Sequence, residues 1–224
     1  MAHPKGGYKL KDGTKVPGVT TIIGRFKDSG GLLYWACEQG KAIERGEIEK
    51  LYDKRDEAAD AGTLAHSMVE AYINNIALDI SQFSPCPANT VKQAQQAFEA
   101  YLSWEKMTNL KIIEQEIELV SETYKFGGCP DAIGEIDGEL TLVDWKTSAS
   151  GPYVDYLLQC AAYQILWQEN YPDKPITAGY HLCRFSKNNA DFHHHYWSEL
   201  DDAKEQFLIL RKAYELDKRL KKRL

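Results

Sequence analysis

Two aspartates and a lysine crowd into the stretch Gly127 to Ser148, and their spacing predicts a hairpin that gathers them on one face. Asp137-Gly138 separates two β-prone runs, and an Asp-Gly pair so placed marks a two-residue type I′ turn. With that loop Ile136 pairs with Glu139, and counting outward sets Asp131 opposite Asp144. Facing residues of an antiparallel pair hold their β-carbons about 4.5–5.5 Å apart. Lys146 follows Asp144 by two and shares its face, while Val143 and Trp145 point to the other. Like charges opposed on a sheet repel, and a divalent cation is a natural counter-charge. Hard oxygen ligands on a rigid hairpin suit Mg²⁺, which takes one or two carboxylates and leaves room for water and phosphate oxygens. Beside such an ion, Lys146 can orient a water nucleophile or stabilise charge on phosphorus. A solvent-facing hairpin with scattered charges has the same spacing, so spacing alone leaves both readings open.

Pro130-Asp131 followed by Asp144-Trp145-Lys146 resembles the PD-(D/E)xK motif of metal-dependent nucleases. Gly62-Thr63-Leu64-Ala65-His66 is similar to the upstream histidine motif of the RecB-type branch, and Gln159 with Tyr163 to its Q-x-x-x-Y helix. Within the branch, Ser121 to Tyr124 and Val143 to Ser148 look most like mitochondrial genome maintenance exonuclease and its viral and bacterial relatives. The resemblance implies a DNA exonuclease that needs Mg²⁺ or Mn²⁺, prefers single strands with free ends, and serves replication, recombination or repair. A structure-selective endonuclease and a non-catalytic DNA- or protein-binding module are the alternatives. It also implies roles. Asp131, Asp144 and the backbone carbonyl of Trp145 hold the metal, with His66 contributing a neutral imidazole nitrogen. Glu116 falls where relatives carry an acidic residue that touches metal or water. Lys146 acts on the attacking water, and Gln159, Tyr163, Thr147 and Ser148 contact substrate. Some relatives hold an iron–sulfur cluster with a late group of three cysteines. Cys37, Cys86, Cys129, Cys160 and Cys183 include no such group, so no iron–sulfur centre is expected.

The elements that must position these residues read as α/β. A small hairpin turns at Asp12-Gly13, and Thr20 or Thr21 caps a short helix. Leu32 to Ile48 reads as a helix with Leu33, Trp35, Ala36 and Ile43 turned inward and Lys41 and Arg45 available to phosphate or solvent. Asp53 to Asn74 is a helix striped by Leu64, Met68 or Val69, Tyr72 and Ile76, on which Glu70 lies one turn from His66 and can orient its ring. After a loop from Leu78 to Asn89, Thr90 caps a helix to Lys106, whose Tyr101 and Trp104 are core or a base-stacking platform. Lys111 to Val120 alternates as the first strand, with Glu114, Glu116 and Glu118 on one side. Tyr153 to Asn170 is a helix, Ile176 to Phe185 and Asp191 to Trp197 are strands, and Leu200 to Leu220 is the closing helix. Of His193, His194 and His195, only the first and last share a face. The expected architecture is a central mixed sheet of about five strands flanked by helices. It forms one nuclease domain over residues 1–224, with a mainly helical part at 1–110 carrying His66 and the sheet core at 111–224.

Net charge is −6, yet residues 1–27 carry six basic side chains against one aspartate, and residues 218–224 carry five against none. Basic ends on an acidic body are consistent with phosphate contacts alongside a carboxylate metal site. An odd number of cysteines without a C-x-x-C pair fits a reducing compartment. No apolar run approaches the roughly 18 residues of a membrane span, and no signal-peptide pattern opens the chain. An intracellular protein of a bacterium or a phage-infected host, not bound to membrane, is the expectation.

Overall fold

From the amino terminus, β1 (Tyr8–Lys9) and β2 (Lys15–Val16) form the expected hairpin around Asp12-Gly13. The computed structural model describes residues 6–27, 30–51, 53–83, 86–148 and 151–224. Helix α1 (Val19–Arg25) begins at a Gly18 cap with no side-chain cap bond. Thr20 and Thr21 therefore lie inside the helix and cap nothing. Helices α2 (Gly30–Glu44), α3 (Asp53–Ile73) and α4 (Ala88–Thr108) complete the first half. In α4 the cap position is Pro87, and Thr90 is buried in the first turn rather than capping it.

Helix α2 departs most from expectation. Leu33 is 65% exposed, Ile43 is 37% exposed, and Ala42 is the helix's buried residue. An apolar stripe is buried only where another element covers it, and no described helix or strand packs extensively on α2. Lys41 and Arg45 pair with Glu38 and Glu47, as a solvated face does.

The second half carries β3 (Lys111–Gln115), β4 (Leu119–Ser121), β5 (Phe126–Gly128), β6 (Ala132–Ile136), β7 (Glu139–Lys146), α5 (Val154–Asn170), β8 (Tyr180–Phe185), β9 (Phe192–Trp197) and α6 (Asp201–Lys221). Five strands form one sheet in the order β3-β6-β7-β8-β9. Its β7–β8 pair is parallel, joined through α5, and the other pairs are antiparallel. Asp137 and Gly138 both hold positive φ, 53° and 85°, and Ile136 pairs with Glu139 as the Asp-Gly turn predicts. Helices cover both faces, α3 and α4 on one and α1, α5 and α6 on the other.

Lys111 to Val120 is not one strand. β3 carries a bulge between Ile112 and Glu114 and stops before Glu116, whose φ is 49°, while β4 joins β5 in a separate two-stranded sheet. The Glu116 backbone N–H donates to the Asp131 carbonyl at 3.2 Å, pinning the break beside β6. Period-two alternation runs through both pieces and cannot reveal the turn between them. Ile176 to Gly179 also lies outside β8, with the Thr177 and Ala178 N–H groups donating to the Leu140 carbonyl. No helix among the described residues is long and apolar enough to cross a membrane.

The helical face buries Tyr101 and Trp104 completely, against Phe185 and, for Tyr101, Trp145. They are core residues and are not open to stack on bases. Across the sheet, α5 sits close on Gly128, where an added β-carbon would lie 2.8 Å from the Tyr163 ring and 2.9 Å from Leu166 and Val19. Such overpacking typically costs about 1–3 kcal/mol. Gly128→Ala is expected to lower the urea midpoint accordingly, and an unchanged midpoint would mean that α5 can move away from the sheet without loss.

Candidate active site

The hairpin register carries Asp131, the residue before β6, to a place opposite Asp144 on β7. Both are buried, at 1% and 0% exposure. Sequence reasoning leaves a metal to offset their repulsion, but the structure supplies a protein counter-charge as well. Lys146 Nζ contacts Asp144 Oδ2, and the ammonium is itself largely buried. Burial pushes both carboxyls above the ordinary range, Asp144 to about 6, against the opposing pull of Lys146. For Lys146 burial acts to lower the pKa and is outweighed by Asp144 and Asp131, so the ammonium is held protonated.

Trp145, between them, orients two further groups. Its backbone N–H donates to Asp131 Oδ2 at 2.9 Å, and its indole N–H donates to His66 Nδ1 at 3.2 Å. The indole thus fixes the ring that Glu70 was expected to orient, but it does so by donating to the Nδ1 lone pair, which a metal bound at that nitrogen would have to take over; Glu70 is exposed, and its backbone carbonyl accepts from the Gln115 side chain. Burial, aided by the charge of Lys146, drives the His66 pKa down to about 3, which leaves a neutral imidazole. Helix α3 reaches this position because residue 62 is glycine: a β-carbon there would sit 2.7 Å from Thr147 Oγ1. That contact gives the Gly-Thr-x-x-His segment a physical reason.

Glu116 completes the group. The positive φ that breaks the strand turns its side chain inward, and His66, Glu116 and Asp131 bring one ligand atom each within 4.8 Å of one another. Among the described residues no other trio of His, Cys, Asp or Glu does so. Asp144 falls outside that trio, its carboxylate turned to Lys146. Burial first, and then the charge of Asp131, raise Glu116 to about 7, and the Cys129 thiol donates to its Oε2 at 3.6 Å. Asp131 Oδ1 and Asp144 Oδ1 are buried with no hydrogen-bond donor among the described residues. Buried carboxylate oxygens left without donors suit a divalent cation, and three oxygen or nitrogen ligands this close can hold one.

Gln159 and Tyr163 lie in α5 below this group, both buried, and the Gln159 amide donates to the Tyr163 hydroxyl at 2.8 Å. Thr147 and Ser148 line a cleft of about 760 Å³ that opens beside His66 and Lys146 and continues past Gln93, Arg184 and Lys187. The last three escaped the sequence reading, being single polar residues on three separate elements. His193 and His195, which share a face of β9, join no group of metal-ligating side chains among the described residues. His194 instead meets His181 of β8, nitrogen to nitrogen at 2.8 Å, because the strand register puts them on a common face.

A model of the PD-(D/E)XK nuclease superfamily matches residues 34–222. Among solved structures, one of a candidate exonuclease from Eubacterium rectale is similar at 14% identity and a TM-score of 0.47, covering 68% of this chain and 64% of that one. The chain thus spans less than two thirds of that protein. The structure of SSO0001 is similar at 16% identity and a TM-score of 0.33, covering 81% of this chain and 87% of that one. No curated protein matches the sequence.

The raised Glu116 has a consequence for stability. Its pKa rises from 4.5 to about 7 on folding, so its contribution is fully present below about pH 4.5 and is lost as pH rises through about 7. In EDTA, Glu116→Gln is expected to gain on wild type across that window. The difference should reach roughly 1–2 kcal/mol at pH 8, the shift being discounted for partial exposure. Melting curves at pH 5 and 8 check this; an equal gap at both would show that Glu116 is not strained by its charge.

Proposed function

Because the chain belongs to the PD-(D/E)XK nuclease superfamily, we propose that it is a divalent-metal-dependent deoxyribonuclease. More closely, we read it as an exonuclease that hydrolyses phosphodiester bonds of DNA from free ends, with a preference for single strands. The observation that carries the metal-dependent nuclease reading is the convergence of His66, Glu116 and Asp131 within 4.8 Å, beside the buried Lys146–Asp144 pair and next to a cleft. Residues 1–224 act as one nuclease domain, to which the helical part contributes His66 and the sheet contributes the rest. The resemblance of Ser121 to Tyr124 and Val143 to Ser148 to mitochondrial genome maintenance exonuclease supports exonuclease action in replication, recombination or repair.

Asp131, Glu116 and His66 would hold Mg²⁺ or Mn²⁺, with Asp144 and the Trp145 carbonyl at its flank. When bound, such an ion polarises the scissile phosphate and eases deprotonation of water. Lys146 donates and does not accept protons, since Asp144 keeps it charged; it fixes a water or a phosphate oxygen and offsets charge that builds on phosphorus. Trp145 keeps Asp131 from turning away through its backbone N–H, and its indole N–H holds His66 Nδ1 in place until an ion takes that lone pair. Gln159 and Tyr163, both buried, brace each other beneath the site and support its floor. Thr147 and Ser148 meet the strand at the cleft wall.

End-labelled linear DNA, single- and double-stranded, and closed single-stranded circles separate the readings. Hydrolysis of linear strands with Mg²⁺ or Mn²⁺, none in EDTA and intact circles are expected. Cut circles would make the protein an endonuclease, and no hydrolysis with either metal would leave a binding module. Lys146→Met is expected to lower kcat by about 10²–10³, the usual cost of losing one transition-state donor, while single-strand binding changes little. Turnover near wild type would remove Lys146 from the mechanism.

A further inference from the structure

Beyond the carboxylates, the cleft has a charge pattern of its own. Its charged lining residues are Lys146, Arg184 and Lys187, and no aspartate or glutamate among the described residues lines it. In a chain with net charge −6 this is a local reversal of sign, of the kind that concentrates an anionic ligand. The cations are also fixed in place. Arg184, one residue before the end of β8, is in register with Lys146 on the adjacent parallel strand, so the two backbones run about 4.8 Å apart and the side chains share a face. Its Nη1 donates to the Ser148 carbonyl at 3.4 Å. Lys187, in the turn after β8, reaches α3 and donates to the Ala58 carbonyl at 2.9 Å. Gln96 of α4 donates to the Asn188 carbonyl at 2.8 Å, so the turn is tied to both helices.

Resting on the nuclease reading above, we propose that Arg184 and Lys187 form a phosphate subsite. It holds the DNA diester next to the scissile one and thereby sets how the strand lies over Lys146. The guanidinium offers a planar fork matched to phosphate oxygens, and the ammonium adds a point charge beside it. Half-burial pulls Lys187 below the ordinary lysine value, a cost that an anion at its side offsets. The turn is anchored before substrate arrives, so little ordering is left for binding to supply.

The test reads salt dependence rather than turnover. A labelled single-stranded oligonucleotide is titrated in EDTA over a range of KCl by fluorescence anisotropy, and log K is plotted against log salt. Each phosphate contact on a single strand contributes about 0.7 to that slope. Lys187→Gln and Arg184→Gln are each expected to flatten it by about 0.7, the double variant by about 1.4, and Lys187→Arg to keep the wild-type slope. A merely structural role for these side chains would shift melting without flattening the slope. Lys187→Gln with unchanged melting and the wild-type slope overturns the subsite, and it decides the matter even if Arg184→Gln does not fold. Wild-type protein that neither binds nor hydrolyses DNA overturns the nuclease reading instead, a result distinct from an active wild type whose variants keep its slope.

Discussion

Three ionisable groups taken out of water together, Asp131, Asp144 and Lys146, set the terms for the rest of the molecule. Removing a charge from water costs several kcal/mol even after relaxation, and breaking a buried pair leaves an uncompensated charge. One lysine offsets one aspartate. A second aspartate and a half-buried glutamate remain, and burial raises all three carboxyl pKa values, with repulsion from Asp131 adding to it at Asp144 and Glu116. The protein is thus built with a deficit of positive charge at one point of its sheet, and the surrounding elements hold that point in place beside the cleft.

Trp145 links the layers around it. One residue uses its main chain to hold an aspartate of the hairpin and its side chain to hold a histidine of α3, so the sheet and the helical layer share a single pivot. Its ring also packs edge-on against Tyr101 of α4. Close approach matters as much as bonding here. Gly62 lets α3 touch Thr147, and Gly127 lets the Tyr8 ring lie where a β-carbon would be only 2.3 Å away, which ties the first hairpin to β5.

The hairpin was legible because its signal is local: an Asp-Gly turn and a period of two determine which residues face each other. A mixed sheet of about five strands with helices on both faces was legible too, but the strand order β3-β6-β7-β8-β9 and the separate β4–β5 pair were not. Glu116 was harder. Its inward aim depends on a positive φ and a bond to the Asp131 carbonyl, neither of which leaves a trace in an alternating run of glutamates. Periodicity misled for α2, since a stripe does not say whether a neighbour exists to cover it. The threonine caps failed because Gly18 and Pro87 start their helices earlier. Arg184 and Lys187 come together with α3 only through the parallel pairing of β8, a long-range contact that no window of sequence contains.

That parallel pairing also bears on how the chain matures. β7 is completed by β8 only after the whole of α5 has been made, and non-local parallel pairs form late because the intervening chain must first be ordered. On a ribosome, where amino-terminal segments emerge first, the hairpin waits with an open edge until that partner arrives. The buried carboxylate and lysine group therefore reaches its final setting only once β8 has been made, and shorter amino-terminal segments carry Asp131, Asp144 and Lys146 without the neighbour that completes their sheet.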